Sequence, residues 1–100
     1  MGDTATGETS YTLPSSGIMQ HACKIAVVED RPIMMDYWTD SLDNGVFIGV
    51  RESGEKLLVK NADEYTSNIS KIFKVGEEYI IMTENSIYVI SAKVASKRIS

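Results

Sequence analysis

Beyond Gly17, apolar and polar positions alternate in short runs separated by turn-forming pairs, the pattern of closely spaced β-strands rather than long helices. Val46, Ile48 and Val50 recur at period two within residues 46–52, and residues 56–60 form a second apolar run. Ser53-Gly54 marks a turn between them. Asn44-Gly45, just upstream, is a stronger hairpin signal, because both central residues of a type I′ turn take positive φ. Residues 71–75, 79–83 and 86–93 read as a three-strand meander punctuated by Gly76-Glu77 and Glu84-Asn85. Residues 23–29, rich in Val and Ile, read as a further strand.

Two segments are less simple. In residues 31–42, Ile33, Met34, Tyr37, Trp38 and Leu42 fall at helical spacing, with Asp30 as a cap and Pro32 in the first turn. Against that, Met35, Tyr37 and Thr39 alternate with Asp36, Trp38 and Asp40, and Asn44-Gly45 asks for a strand on its near side. We take the strand. Residues 61–68 form the longest connection, polar apart from Tyr65, with room for a helical turn. Six to seven short strands predict an all-β domain, a small antiparallel barrel or sandwich with an SH3-like meander, since closure removes edges that would otherwise need protection.

Residues 1–17 break the pattern. They hold four Thr, three Ser, three Gly, one Pro, two acids and no base, too little apolar surface to offset the entropy of ordering them. The sequence therefore divides into a flexible N-terminal arm, 1–17, and a single β domain, 18–100. Tyr11-Thr12-Leu13-Pro14 has the alternation to add to a sheet edge. Gly2 with Thr6 fits a myristoylation pattern, but the acidic arm lacks the basic second signal that stable anchoring needs.

Composition adds bounds rather than a function. The 100 residues are 43% hydrophobic and 24% charged with a net charge of −4, near the average for a globular domain. One cysteine, Cys23, allows no intramolecular disulfide, and no apolar stretch is long enough to span a bilayer. We therefore expect a soluble, intracellular protein.

Candidate chemistry is sparse. Residues 24–30, followed by Arg31-Pro32-Ile33, resemble the opening strand of a response-regulator receiver domain, which implies Mg²⁺ at the pair Glu29 and Asp30. The resemblance covers about ten residues, and the stretch 69–75 has no acceptor carboxylate, so the chain is not assigned to that family. Asp36, Asp40 and Asp43 extend the acidic stretch, but on a strand Asp36 and Asp40 would stand about 13 Å apart, too far for one ion. His21 and Cys23 would share a strand face as two ligands or as a nucleophile and its base, yet no further His or Cys completes a site. There is no G-x-G-x-x-G and no Walker A sequence. We expect no catalytic residue, no metal and no cofactor.

The informative feature is where the apolar residues fall. Neighbours on a strand point to opposite faces, yet Tyr79-Ile80-Ile81-Met82, Ile87-Tyr88-Val89-Ile90, Leu57-Leu58-Val59 and Ile33-Met34-Met35 are apolar at neighbouring positions. Both faces of such strands want cover. This predicts a non-enzymatic interaction or assembly module, a structural subunit of a larger particle or a small inhibitor, acting as a homo-oligomer or with a protein partner. Met34, Trp38, Tyr79, Met82 and Tyr88 are the interface candidates by residue type. The alternative is a nucleic-acid-binding small barrel, with Lys71, Phe73, Lys74, Lys93, Lys97 and Arg98 as its basic and stacking residues. A pI near 4.9 opposes that alternative.

Overall fold

The computed structural model describes residues 12–99, so most of the predicted arm, residues 1–11, lies outside the described residues. The chain is mostly β, but it is not all-β. Helix α1 (Ser16–Glu29) replaces the strand expected at 23–29 and takes up the end of the segment assigned to the arm. Its cause is a helical stripe: Ile18 and Ala22 are buried, and Met19, Ile25 and Ala26 pack beside them, the i, i+1, i+4, i+7, i+8 spacing of one helix face. That stripe begins before Cys23. A window opened at Cys23 sees only the β-branched run, whose strand propensity is overridden by burial of the stripe.

Both ends of α1 are fixed locally. Ser15 caps it, its Oγ accepting the Ile18 N–H at 3.2 Å, while the Ser15 N–H and hydroxyl donate to the Glu78 carboxylate at 2.9 and 2.7 Å. At the other end Asp30 turns left-handed with φ of 55°, and the Arg31 N–H donates to Ala26 O.

Residues 31–42 combine parts of both readings, with a two-residue strand β1 (Ile33–Met34) and a short helix α2 (Trp38–Leu42). Asn44 does take positive φ, 62°, but makes no hairpin. The Gly45 N–H instead donates to Asp40 O at 2.8 Å, closing the end of α2. Positive φ serves helix termination as well as type I′ turns, so the dipeptide alone does not separate them.

The remaining strands are β2 (Phe47–Val50), β3 (Lys56–Asn61), β4 (Glu64–Tyr65), β5 (Ile69–Val75), β6 (Glu78–Thr83), β7 (Ile87–Ser91) and β8 (Ala95–Arg98). The 61–68 connection thus holds β4, not a helical turn. Turns at Ser53-Gly54, Gly76-Glu77 and Glu84-Asn85 fall between paired strands as the sequence suggests, with Gly76 at φ of 60°.

The strands form two sheets of four and do not close into a barrel. Sheet A has the order β1-β7-β6-β5 and sheet B the order β4-β3-β2-β8. Each contains one parallel pair, β1 with β7 and β2 with β8, so the SH3-like antiparallel meander is not the topology.

Two apolar layers hold the elements together. On one face of sheet A, Ile80 and Met82 of β6 and Ile87 and Val89 of β7 meet Ile18 and Ala22 of α1 and Trp38. On the other face, Ile81 and Ile90 meet Ile48 and Leu58 of sheet B, with Tyr37 and Val46. The order through the molecule is therefore α1, sheet A, sheet B. Ser41, buried in this frame, donates to Trp38 O and accepts the Ser91 N–H, so its hydroxyl is satisfied. No helix among the described residues is long and apolar enough to cross a membrane.

Candidate binding surfaces

The two strands β6 and β7, apolar at neighbouring positions, are covered on both faces within the chain itself. Met82 and Trp38, chosen as interface residues, are 4% and 5% exposed in the layer under α1. Tyr79 and Tyr88 are half-buried against the layer between the sheets, where the Tyr88 ring stands edge-on to Tyr37 at 5.3 Å. Met34, on the short edge strand β1, is 37% exposed. Four of the five candidates therefore contribute to packing, and they do not form one surface.

The nucleic-acid candidates are also divided. Lys71 and Phe73 point from β5 to the α1 side, and Lys74 alternates to the other face. Lys93 borders a hollow with Trp38, Glu77 and Glu78, while the Lys97 ammonium lies 4.8 Å from the Phe47 ring centre on sheet B. Arg98, next along β8, alternates to the opposite face from Lys97.

The remaining chemical candidates are set by their elements. On α1, His21 and Cys23 are two positions apart and do not share a face, which corrects the strand reading. Among the described residues no three His, Cys, Asp or Glu side chains gather as a metal ligand set. Glu29 and Asp30 end α1. Asp40 is paired with Lys60 at 3.3 Å, and Glu64 with the same ammonium at 3.6 Å, which stands 4.7 Å from the Tyr37 ring centre. Burial pulls the Lys60 pKa down, but the Asp40 hydrogen bond and the charges of Glu64, Asp40 and Asp36 outweigh it and leave it raised. Burial, with smaller contributions from Tyr88, Glu64 and Asp36, pushes the Tyr37 hydroxyl up to about 12. These groups tie α2 and the residue before it to sheet B.

Among the described residues two surfaces have no helix or sheet packed over them. The first is β5, the edge of sheet A and the longest strand, with Ser70 to Lys74 exposed along both faces. Ile72 and Phe73 are 36% and 38% exposed. Between β5 and α1 runs a cleft in which Phe73 and Ile25 line two adjoining hollows of about 170 and 520 Å³. Lys24, Lys71 and His21 border them, against one acid, Glu29.

The second surface is the outer face of sheet B. Leu57 and Val59 form the floor of a pocket of about 310 Å³, with Phe47, Tyr65 and Ile99 as walls and Arg51, Asn61 and Ala62 at the rim. Gly49 makes it possible, since a Cβ there would come within 2.8 Å of Ile99 Cδ1 and 3.1 Å of Val59 Cγ2. Sequence reasoning missed the pocket as a site, although Leu57-Leu58-Val59 carries its signal. Leu58 goes inward, and the two flanking residues, Leu57 and Val59, are covered by neighbouring side chains around the pocket and not by a further helix or sheet.

Compared with protein-family models, with curated proteins and with solved structures, the chain matches none of them.

Proposed function

We propose that the protein is a non-enzymatic binding module that takes an extended, acidic segment of a protein partner as an added strand on β5. The observation that supports this reading is that β5, the longest strand, stands at a sheet edge with both faces open and a basic cleft beside it. An edge of this kind offers a row of main-chain donors and acceptors as a template, and the cleft supplies a side-chain pocket at Phe73. The charges argue for a different partner rather than a second copy. Two β5 strands paired antiparallel about Ile72-Phe73 would place Lys71 opposite Lys74, and like charges opposed across a ladder are destabilising. The six nucleic-acid candidates lie on different faces, which favours the peptide reading over the alternative of a continuous basic strip.

The test is selection from a library of random peptides against the whole protein. Selected peptides should alternate apolar and acidic residues, shift the amide resonances of residues 70–75, and lose binding when alternate backbone nitrogens are methylated. Phe73→Lys should weaken them more than tenfold. Binders that map elsewhere, or that tolerate methylation at every position, would sink the proposal.

A further inference from the structure

A separate site lies on the outer face of sheet B, and it does not depend on the reading of β5. The pocket there combines an apolar interior with a positioned cation at its mouth. The main chain at Arg51 is fixed in the turn after β2: its N–H donates to Glu55 O at 2.8 Å, and its carbonyl accepts from the Gly54 N–H at 2.9 Å. Its side chain borders the pocket, and among the described residues its guanidinium makes no ion pair or hydrogen bond. Nearby Glu55 is occupied with Asn68 and Ser53. Among the described residues no acid lines the pocket, although the chain carries a net charge of −4, and Lys97 stands over the Phe47 wall.

We propose that this pocket binds a small anionic amphiphile, a medium-chain monocarboxylate whose tail lies on Leu57 and Val59 and whose carboxylate pairs with Arg51. Size and charge both favour it. An apolar cavity of roughly 150 Å³ takes up benzene, so a pocket of about 310 Å³ has room for an apolar group about twice that volume. Guanidinium is suited to hold a planar carboxylate through two parallel hydrogen bonds. Small-ligand sites are of this kind, apolar walls with a few placed polar groups.

The experiment titrates the whole protein with decanoate at low salt and follows it by NMR, with decanol as the neutral partner of the same tail. We expect saturable one-to-one binding that shifts the resonances of Phe47, Leu57, Val59, Tyr65 and Ile99, and that weakens as salt is added. Arg51→Gln should weaken decanoate roughly twofold to fivefold and leave decanol unchanged, the loss of one partly exposed ion pair. Gly49→Ala, which lifts Ile99 off the sheet, should weaken both ligands. Equal loss of both ligands in Arg51→Gln would overturn the assignment, as would shifts confined to the β5 cleft, shifts spread over the molecule without saturation, or absence of binding up to the solubility of decanoate. None of these outcomes bears on peptide binding at β5, which has its own readout at residues 70–75.

Discussion

Strands β5 and β6 are hydrogen-bonded to each other along nearly their whole length, and each carries apolar residues at neighbouring positions, yet they meet different surroundings. In β6, Ile80 and Ile81 are both 0% exposed, one under α1 and the other against sheet B. Their partners in the register, Phe73 and Ile72, are 38% and 36% exposed. The difference lies in sheet order, not residue type. A strand second from the edge is covered because the flanking layers are centred on β6 and β7; the same layers run out before they reach β5. Apolar residues on both faces of a strand therefore signal a demand for cover, and only the tertiary arrangement says whether the chain itself meets it.

The largest test of this contrast compares the two faces of β6. Ile80→Ala and Ile81→Ala should each cost about 2–5 kcal/mol, the range for a buried large-to-small change, measured by urea denaturation. Similar losses mean that both covers are equally firm. A loss below about 1 kcal/mol for Ile80→Ala would mean that α1 is not a fixed layer.

The second test separates the two layers by chemistry. The buried members of the layer under α1 are Ile, Ala, Trp, Met and Val, none of which ionises, whereas the layer between the sheets contains Tyr37. Burial, aided by Tyr88, Glu64 and Asp36, raises the Tyr37 pKa from 10.0 to about 12. Above pH 10 the unfolded chain releases a proton that the folded chain retains, so this contribution is complete below pH 10 and is lost as pH rises to about 12. The loss is on the order of 2 kcal/mol. Urea midpoints should fall over that range in the wild type and fall less in Tyr37→Phe. Parallel pH profiles would show that the phenol contributes nothing to the alkaline transition.

What could be read from the sequence follows the range of each signal. Local turn chemistry at Ser53-Gly54, Gly76-Glu77 and Glu84-Asn85 places turns between strands that do pair, since those turns depend on adjacent residues, although the strands expected at 46–52 and 86–93 are shorter, Phe47–Val50 and Ile87–Ser91. Helix α1 is not legible in residues 23–29 alone, because its stripe runs from Ile18 to Ala26 and the β-branched run that opens at Cys23 contains only the end of it. Barrel closure failed for a different reason: β1 and β8 pair in parallel with strands remote in sequence, and period-two alternation contains no information on partner or direction. The interface candidates were chosen by type and by demand for cover, properties that Met82 and Trp38 share with core residues. Residue type marks Lys71, Phe73 and Lys74 in the sequence, but nothing in it reveals that β5 is an edge.

A smaller effect tests how the cover over β6 is attached. Ser15→Ala removes the acceptor for the Ile18 N–H and the hydroxyl bond to Glu78, one holding the start of α1 and the other tying it to β6. The expected cost is about 1 kcal/mol by thermal or urea unfolding. Amide exchange should rise mainly in the first turn of α1. If it rises uniformly over sheet A instead, the cap is part of the global core rather than the attachment of one layer.

The smallest expected effect is the most informative about β5. Ile72→Thr keeps a β-branched residue on the strand and removes an apolar group that is already partly in water, so stability should change by no more than about 0.5 kcal/mol. The equivalent change one strand inward, Ile81→Thr, places a hydroxyl in the layer between the sheets and should cost several times more. Near-neutral substitution at position 72 would mean that its exposure is not sustained by a folding requirement. A peptide selected on β5 should nevertheless bind the Ile72→Thr protein more weakly, because Ile72 would lie beside the added strand. Unchanged stability with weakened binding assigns the open face of β5 to a partner; unchanged binding would leave Ile72 as an ordinary exposed residue on a charged, self-protecting edge.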